Sequence, residues 1–305
     1  PYCPAMESWA SLSILPKHLL ERKDVTKSPL TRKPMGTGPY RLERWITQNQ
    51  IVLESNHDYF MGRPWIDRNV TRIIPDTATQ FLELQSGGID QMTLTPTQWA
   101  RQTVSKEFLG AFNKFKYPVN AFTYLGFNLK DPRFADRRVR QAISYAIDRN
   151  EIVKGVLLGL GEPGVGPYVP STKWFDRNLK PYPHDPGRAK ALLAEAGWKD
   201  TNGDGILDRD GKPFRFEIIT NNGNAERLKT CVIIQQRLKD VGIEVAIRPI
   251  EWAAFISDFI DKKRFEATVL GWSIGMDPDQ YDIWHSSKTK PKELNFISYG
   301  NADVD

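Results

Sequence analysis

The stretch FRFEIITNNGNAERLKTCVIIQQRLKDVGIEVAIRPIEWAAFISDFIDKKRFEATVLGWSIG, residues 214–275, alternates between two kinds of local pattern. Residues 214–220 are rich in β-branched and aromatic side chains, and the turn residues 221–224 follow them. Asn224 is a typical helix N-cap, and apolar residues then recur at helical spacing as far as Gly242. The pattern predicts a strand followed by an amphipathic helix.

The same alternation continues to the end of the stretch. Residues 243–247 alternate apolar and polar side chains as a strand does, residues 252–261 have a helical pattern, and residues 265–272 return to a strand pattern. Strands and helices that alternate with short connections form parallel neighbours joined by right-handed crossovers. The fold class predicted from this half of the chain is therefore α/β.

The carboxyl ends of the three predicted strands are the first candidate for a binding site. They are residues 220–223, 249–252 and 271–277, and parallel strands bring such ends to one edge of the sheet. Ligands of open α/β sheets bind outside that edge, and here it carries Trp252 and Trp272. The alternative is that both tryptophans are packing residues.

Composition limits the possible functions. Of the 305 residues, 40% are hydrophobic and 26% are charged, which is the balance of a globular protein. No apolar run approaches the roughly 18 residues that a membrane span requires. The net charge is +5, and the basic residues are interspersed with 37 acidic ones, whereas nucleic-acid binders concentrate positive charge on one face. We expect no nucleic-acid partner.

Metal and cofactor chemistry has little support in the sequence. Two cysteines, Cys3 and Cys231, make neither a disulfide framework nor a metal site. No zinc-type spacing relates the four histidines, which are His18, His57, His184 and His285. No pair of carboxylates has the pattern of a general acid and base. We expect no cofactor and no resident metal.

One motif leaves an enzymatic alternative open. GWSIG, residues 271–275, matches the nucleophile elbow of α/β hydrolases, with Ser273 as the nucleophile and His285 following it. An elbow serine leads directly into a helix, but Asp277 precedes Pro278 and this order disfavours a helix there. A serine hydrolase that uses Ser273 is the alternative function.

The segment DTNGDGILDRDG, residues 200–211, resembles the start of a calcium loop. Oxygen ligands occupy alternate positions, with Gly205 sixth, at Asp200, Asn202, Asp204 and Asp208. The twelfth position, which needs a bidentate glutamate, is Gly211, and a strand rather than a helix follows. Asn, Asp and Gly also dominate tight turns, so the pattern favours a structural turn over weak calcium binding.

The first half of the chain shows further elements. Residues 38–55 have the pattern of a β-hairpin, residues 89–94 that of a strand, and residues 136–157 that of one amphipathic helix. A domain boundary is predicted near Phe122, which divides the chain into residues 1–122 and 123–305. Because the chain starts at Pro1, it has the character of a piece of a longer protein.

Five segments in this order and spacing carry a family resemblance. They are GTGPYRLERW, FNLKDPRFADRRVRQAISYAIDRNEIVKGVLLGLGEPGVGP, AKALLAEAGWKDTNGDGILDRDGKPF, IEVAIRPIEWAAF and LGWSIGMDPDQYDIWHSS. The chain closely resembles the family 5 extracellular solute-binding proteins of bacterial ABC transporters, the oligopeptide, dipeptide and nickel group. The resemblance covers essentially the whole chain.

The resemblance implies a type II periplasmic-binding-protein fold with two lobes of mixed and parallel sheets, flanked by helices, around a ligand cleft. Residues 1–122 resemble the middle of lobe I, and residues 123–305 resemble most of lobe II. The implied protein is not an enzyme. It binds peptides or a similar extended solute outside the cytoplasm, in the periplasm or extracellularly, and delivers them to permease subunits. It meets the membrane only through the transporter or a lipid anchor outside this chain.

The resemblance also implies a set of ligand-binding residues. Tyr124 comes from the strand that crosses between the lobes, and Trp252 is similar to a pocket-lining tryptophan. Gly271, Trp272 and Ser273 are similar to the strand end that pairs with an extended peptide backbone. Peptide binders that hold a free terminal amine have an aspartate at the position of Gly275, and here Asp277 follows two residues later.

Overall fold

The computed structural model describes residues 14–24, 27–275 and 277–305. They belong to two compact units, of which one ends at Thr93 and the other runs from Leu94 to Asp305. The boundary predicted near Phe122 falls within the second unit. The assignment of residues 1–122 and 123–305 to the two lobes of the whole protein stays a prediction. Cys3 lies outside the described residues.

The first unit contains a three-stranded antiparallel sheet in the order β1-β2-β3. Its strands are β1 (Tyr40–Ile46), β2 (Gln50–Ser55) and β3 (Arg68–Arg72), and its helices are α1 (Lys17–Leu20), a 3-10 turn at Pro29–Thr31 and α2 (Thr77–Gln85). β1 and β2 pair from Tyr40 with Ser55 to Ile46 with Gln50, with a register shift between Leu42 and Arg44, so the hairpin predicted over residues 38–55 is confirmed.

The second unit begins with a π-helical turn at Gln98–Gln102, α3 (Lys106–Ala111), β4 (Ala121–Phe127), α4 (Pro132–Ala135), α5 (Arg137–Ala146), α6 (Arg149–Gly155) and α7 (Pro186–Glu195). It continues with β5 (Asp208–Arg209), β6 (Lys212–Pro213), β7 (Arg215–Asn221), α8 (Ala225–Lys239), β8 (Glu244–Ile250), α9 (Trp252–Ala254), a π-helical turn at Phe255–Ile260, β9 (Ala267–Ser273), α10 (Tyr281–Trp284) and a 3-10 turn at Ser286–Lys288. Within the described part of the chain, no helix combines the length and the apolar character that crossing a membrane requires.

The main sheet of the second unit has the order β4-β9-β7-β8. β7 is parallel to both β8 and β9, which confirms the strand-helix-strand-helix-strand prediction. β4 adds an antiparallel edge next to β9, pairing from Ala121 with Ser273 to Phe127 with Ala267. The sheet is therefore mixed, and its parallel part is the stretch from which the fold class was predicted.

Apolar clusters cover both faces of this sheet. Ile218 and Ile219 are consecutive in β7 and belong to different clusters, so the two clusters lie on opposite faces. On one face α5, α7 and α8 pack over the strands, and Phe134 is fully buried there with its ring centroid 4.7 Å from that of Phe127. On the other face Phe255 and the residues around it form a smaller cluster. This arrangement confirms the α/β class.

Two sequence predictions about local structure are wrong. The single helix predicted over residues 136–157 is broken after Ala146, because the Asp148 side chain accepts hydrogen bonds from the amides of Asn150 and Glu151 and begins a new helix. Residues 89–94 form no strand in the described structure. The Ile89 amide instead donates to the carbonyl of Glu83 at the end of α2.

Candidate ligand-binding site at the carboxyl edge of the main sheet

The carboxyl ends of β7, β8 and β9 lie along one edge of the main sheet because the three strands are parallel. β4 runs antiparallel to β9 and therefore begins at the same edge, where Ala121 lies opposite Ser273 and Phe122 opposite Trp272. Three loops and the start of a fourth strand thus meet here. The residues predicted to bind ligand belong to these strands and loops.

The last residues of β9 present backbone groups on the side away from β4. The Ile274 amide donates to the carbonyl of Asn120 at 2.7 Å, so by the alternation of antiparallel ladders Gly271 and Ser273 direct their N–H and C=O groups to the opposite side. On that side β7 pairs with β9 only as far as Thr268. Among the described residues no strand continues the pairing, and we call the backbone of Gly271 and Ser273 the free β9 edge.

Tyr124 lies in the middle of β4, opposite Leu270, with its ring centroid 5.8 Å from that of Phe122. Its hydroxyl is buried and has no hydrogen-bond partner among the described residues. The phenol is neutral at physiological pH even at its ordinary pKa, and burial raises that pKa further. A buried hydroxyl without a partner is unfavourable, and water or a ligand would relieve it.

The two predicted tryptophans differ in exposure. Trp252 is 51% exposed, and the preceding Glu251 fixes the turn by accepting hydrogen bonds from the amides of Ala253 and Ala254 at 2.8 and 3.2 Å. These hydrogen bonds hold the pKa of Glu251 below its ordinary value. Trp272 is partly buried, and its ring centroid is 5.9 Å from that of Phe296. The Trp252 side chain is therefore open to solvent, whereas the Trp272 ring packs beneath the end of β9.

Gly275 and Asp277 lie in the loop after β9. The atom nearest to a Cβ built on Gly275 is the amide nitrogen of Asp277, at 3.9 Å, so the position has room for a side chain. Asp277 Oδ1 accepts a hydrogen bond from the Asp279 amide at 2.8 Å, a contact typical of an aspartate that fixes a turn. The Tyr168 hydroxyl donates to the carbonyl of Pro278 at 2.6 Å. Asp277 therefore has a structural role within this loop.

The geometry gives no support to Ser273 as a hydrolase nucleophile. Ser273 ends a strand, and the next helix begins only at Tyr281, whereas an elbow serine leads directly into a helix. His285 Nδ1 accepts a hydrogen bond from the Ser287 amide at 3.1 Å and caps the 3-10 turn. In the described part of the chain no hydrogen bond joins Ser273 to His285.

The loop of residues 200–211 is closed by its own side chains. Asp200 accepts from the amides of Gly203 and Gly205 at 2.7 and 3.0 Å, and Asp208 accepts from the amide and hydroxyl of Thr201. The loop leads into the hairpin of β5 and β6, at the amino end of β7 and opposite the candidate site. No group of three or more described His, Cys, Asp or Glu residues is placed to hold a metal ion. Weak calcium binding stays the untested alternative.

Sequence reasoning missed two residues at this edge. Tyr168 comes from a long irregular segment, and no local pattern relates it to Pro278. Arg227 lies in the first turn of α8, where acidic residues are preferred, and that mismatch was the available signal. Its guanidinium donates to Asn221, six residues earlier, and lies near Gly271 of β9, a neighbour that the sequence alone could not supply.

Comparison with known proteins places the chain in a family. The profile of bacterial extracellular solute-binding proteins, family 5, middle region, matches residues 3–293. The oligopeptide-binding protein AppA of Bacillus subtilis (strain 168) is 41% identical over 305 residues, which cover 97% of this chain and 55% of that protein. The chain thus spans about half the length of the curated relatives it matches.

Solved structures agree. The structure of AppA from Bacillus subtilis in complex with a nonapeptide has a TM-score of 0.84 and 39% identity, and the match covers 96% of this chain and 58% of that one. NikZ from Campylobacter jejuni in complex with Ni(L-His) has a TM-score of 0.90 and 27% identity, over 99% and 60% of the two chains. These likenesses confirm the predicted periplasmic-binding-protein class of fold. The chain belongs to the bacterial extracellular solute-binding proteins of family 5.

Proposed function

We propose that the full-length protein is the substrate-binding component of an ABC importer, which captures peptides or a similar extended solute and delivers it to membrane permease subunits. Family membership and the likeness to oligopeptide-binding AppA support this proposal. The protein would act on the outer side of the cytoplasmic membrane, in the periplasm or extracellularly.

The observation that carries the proposal is the free β9 edge. The N–H and C=O groups of Gly271 and Ser273 can pair with the backbone of an extended ligand, as an added strand pairs with a sheet. Such pairing holds the ligand through its amides and does not depend on its side chains. The exposed ring of Trp252 lies on the same edge and provides apolar contact area.

We propose further that the protein has no catalytic activity. Ser273 contributes its backbone to the site, and its hydroxyl is exposed at the end of a strand. A serine-directed fluorophosphonate is expected to leave no adduct on Ser273, and no esterase or peptidase activity above background is expected. A covalent adduct would instead favour the hydrolase.

Native mass spectrometry of the full-length protein, purified from its own cells without refolding, tests the ligand class. We expect a mixture of peptides of several sequences, because backbone pairing does not select side chains. A single metal chelate as the retained species would contradict the peptide assignment and leave the solute-binding role intact. A ligand-free protein that also fails to bind a peptide mixture in calorimetry would contradict the proposal as a whole.

A further inference from the structure

A long irregular segment connects α6 to α7. Residues 156–185 contain neither a helix nor a strand, and we call them the strap. Loops longer than about 12–15 residues without secondary structure are uncommon in compact domains and usually carry a function. The side chains of Trp174 and Leu179 are exposed, so the strap does not bury its own large apolar residues there. Its position therefore depends on contacts with other elements.

The strap is attached to other elements at its end and near its middle. At its end the Asp185 amide donates to the Tyr145 carbonyl at 2.8 Å. Near its middle the Tyr168 hydroxyl donates to the Pro278 carbonyl at 2.6 Å. Every other hydrogen bond that the described structure gives residues 161–181 stays within the strap. Tyr168 therefore makes the hydrogen bond that fixes the middle of the strap.

Pro278 lies in a turn that follows the free β9 edge, and we call residues 277–280 the 277–280 turn. Within it the Asp279 amide donates to Asp277 Oδ1 at 2.8 Å. Burial raises the pKa of the Tyr168 phenol, and the nearby carboxylates of Asp279 and Asp277 raise it further. Tyr168 therefore stays protonated and donates to the backbone of the turn beside two acidic side chains.

The position of the 277–280 turn affects the candidate site. The turn begins four positions after Ser273, the last residue of β9, and between them the Ile274 amide donates to the Asn120 carbonyl at 2.7 Å. The approach to the turn is thus fixed next to β4, and its interior is fixed by Tyr168. A site whose loops are ordered before the ligand arrives loses less conformational entropy on binding, and such differences appear mainly in the dissociation rate.

We infer that Tyr168 is a positioning residue of the candidate site: its hydroxyl joins the strap to the 277–280 turn and holds the turn in place after the free β9 edge. The role of the turn in binding rests on the proposed solute-binding function, whereas the contact itself can be measured without a ligand. Tyr168 acts through the turn, and the inference requires no contact between Tyr168 and the solute.

Hydrogen exchange of the ligand-free, full-length protein, followed by mass spectrometry, tests the contact. Tyr168→Phe removes the hydroxyl and keeps the ring. Tyr182→Phe is the matched control, because it makes the same change in the strap at a hydroxyl that accepts from Gln141 Nε2 at 3.2 Å. We expect exchange within residues 277–284 to be about three- to tenfold faster in Tyr168→Phe, which has lost one hydrogen bond, and unchanged in Tyr182→Phe. Thermal unfolding establishes that both variants are folded.

Peptide-binding kinetics test the positioning role. The probe is a synthetic peptide with the sequence that the wild type retains most abundantly, and stopped-flow tryptophan fluorescence gives its association and dissociation rates. In Tyr168→Phe we expect dissociation to be about three- to tenfold faster and association to change by less than about twofold, because the turn is no longer ordered beforehand. Tyr182→Phe should have wild-type rates. General destabilisation would not confine the faster exchange to residues 277–284.

Three results would overturn the inference. One is a folded Tyr168→Phe variant with wild-type exchange in residues 277–284, which would show that the hydroxyl does not hold the turn. Another is faster exchange there with an unchanged dissociation rate, which would deny the turn a role in binding. The third needs no variant. We expect peptide binding to the wild type to slow exchange in residues 277–284 and 165–172 together, and slowing in the first range alone would separate the turn from the strap.

The proposed function and this inference fail in different ways. A wild type that retains no peptide overturns the proposed function and, with it, the role of the turn in binding. The ligand-free exchange measurement still decides whether the Tyr168 hydroxyl holds the 277–280 turn.

Discussion

Two glycines at the end of β9 serve different purposes. Gly271 is in a crowded position, since a Cβ there would lie 3.0 Å from Arg227 Nη2 and 3.1 Å from the carbonyl oxygen of Phe122. Gly275 has room for a side chain, with the nearest atom at 3.9 Å. Packing therefore does not require glycine at position 275, and glycine provides no carboxylate at the position where the resemblance gives amine-binding relatives an aspartate.

We predict that peptides with free and acetylated N-termini bind the full-length protein with affinities within about tenfold, or 1.4 kcal/mol. Gly275 provides no carboxylate, and Asp277 Oδ1 is already hydrogen-bonded to the Asp279 amide. Calorimetry on matched peptide pairs measures the difference. A loss of several kcal/mol on acetylation, reproduced by Asp277→Asn, would show that Asp277 binds the amine.

Gly275→Asp is predicted to create a preference for the free amine. The new carboxylate fits sterically and can form a charge-assisted hydrogen bond of about 1.5–3 kcal/mol with an ammonium group. The ratio of free to acetylated affinity should therefore rise roughly tenfold or more over the wild type. Gly275→Asn, which has the same size without the charge, is the control. An unchanged ratio in Gly275→Asp would place the ligand's amino end elsewhere.

At the scale of single elements, the break between α5 and α6 yields a stability prediction. Asp148 caps α6 by accepting from the amides of Asn150 and Glu151 at 2.9 and 3.3 Å. Asp148→Ala removes both hydrogen bonds and should lower the free energy of unfolding by about 1 kcal/mol. Asp148→Asn keeps a capping oxygen and should behave like the wild type. Urea unfolding compares the three proteins, and equal stability of the alanine variant would contradict the capping role.

The loop of residues 200–211 is predicted to be dispensable for ligand binding. It lies at the amino end of β7, whereas the candidate site lies at the carboxyl end of the same strand. Changing Asp200 and Asp204 together to Asn should therefore leave ligand affinity unchanged. Calorimetry with and without a chelator provides the measurement. Loss of binding in the double variant or with the chelator would give the loop a functional role.

The elements that could be predicted from sequence are those specified by local signals. The cap Asn224 and the strand patterns of β7, β8 and β9 act over a few residues, and the structure contains the corresponding elements. The break at Asp148 was missed because the helical pattern of apolar residues continues past it and hides the capping residue. The proximity of Arg227 to Gly271 was missed because the two residues are more than forty positions apart in sequence.

At the scale of the whole molecule, the order of the strands determines which segments form the candidate binding edge. Placing β7 between β8 and β9 brings three loops to one edge, and the antiparallel β4 adds its own start to that edge. The pairing of β4 with β9 joins residues that are 140 positions apart or more, from Phe127 with Ala267 to Ala121 with Ser273, so no local pattern could predict it. The same pairing determines which backbone groups of β9 are left free.

The most direct test of the account is calorimetry of one retained peptide with full-length wild type, Ser273→Ala and Ser273→Pro. The N–H of residue 273 faces away from β4, so proline removes it without breaking a β4–β9 hydrogen bond. Proline is tolerated at such a position because the strand's N–H is unpaired there. We predict wild-type affinity for the alanine variant. Thermal unfolding first establishes that the proline variant is folded. For that variant we predict that the affinity falls about tenfold or more, since a ligand carbonyl loses its hydrogen-bond partner. Wild-type affinity in a folded Ser273→Pro variant would contradict the claim that the free β9 edge binds the solute.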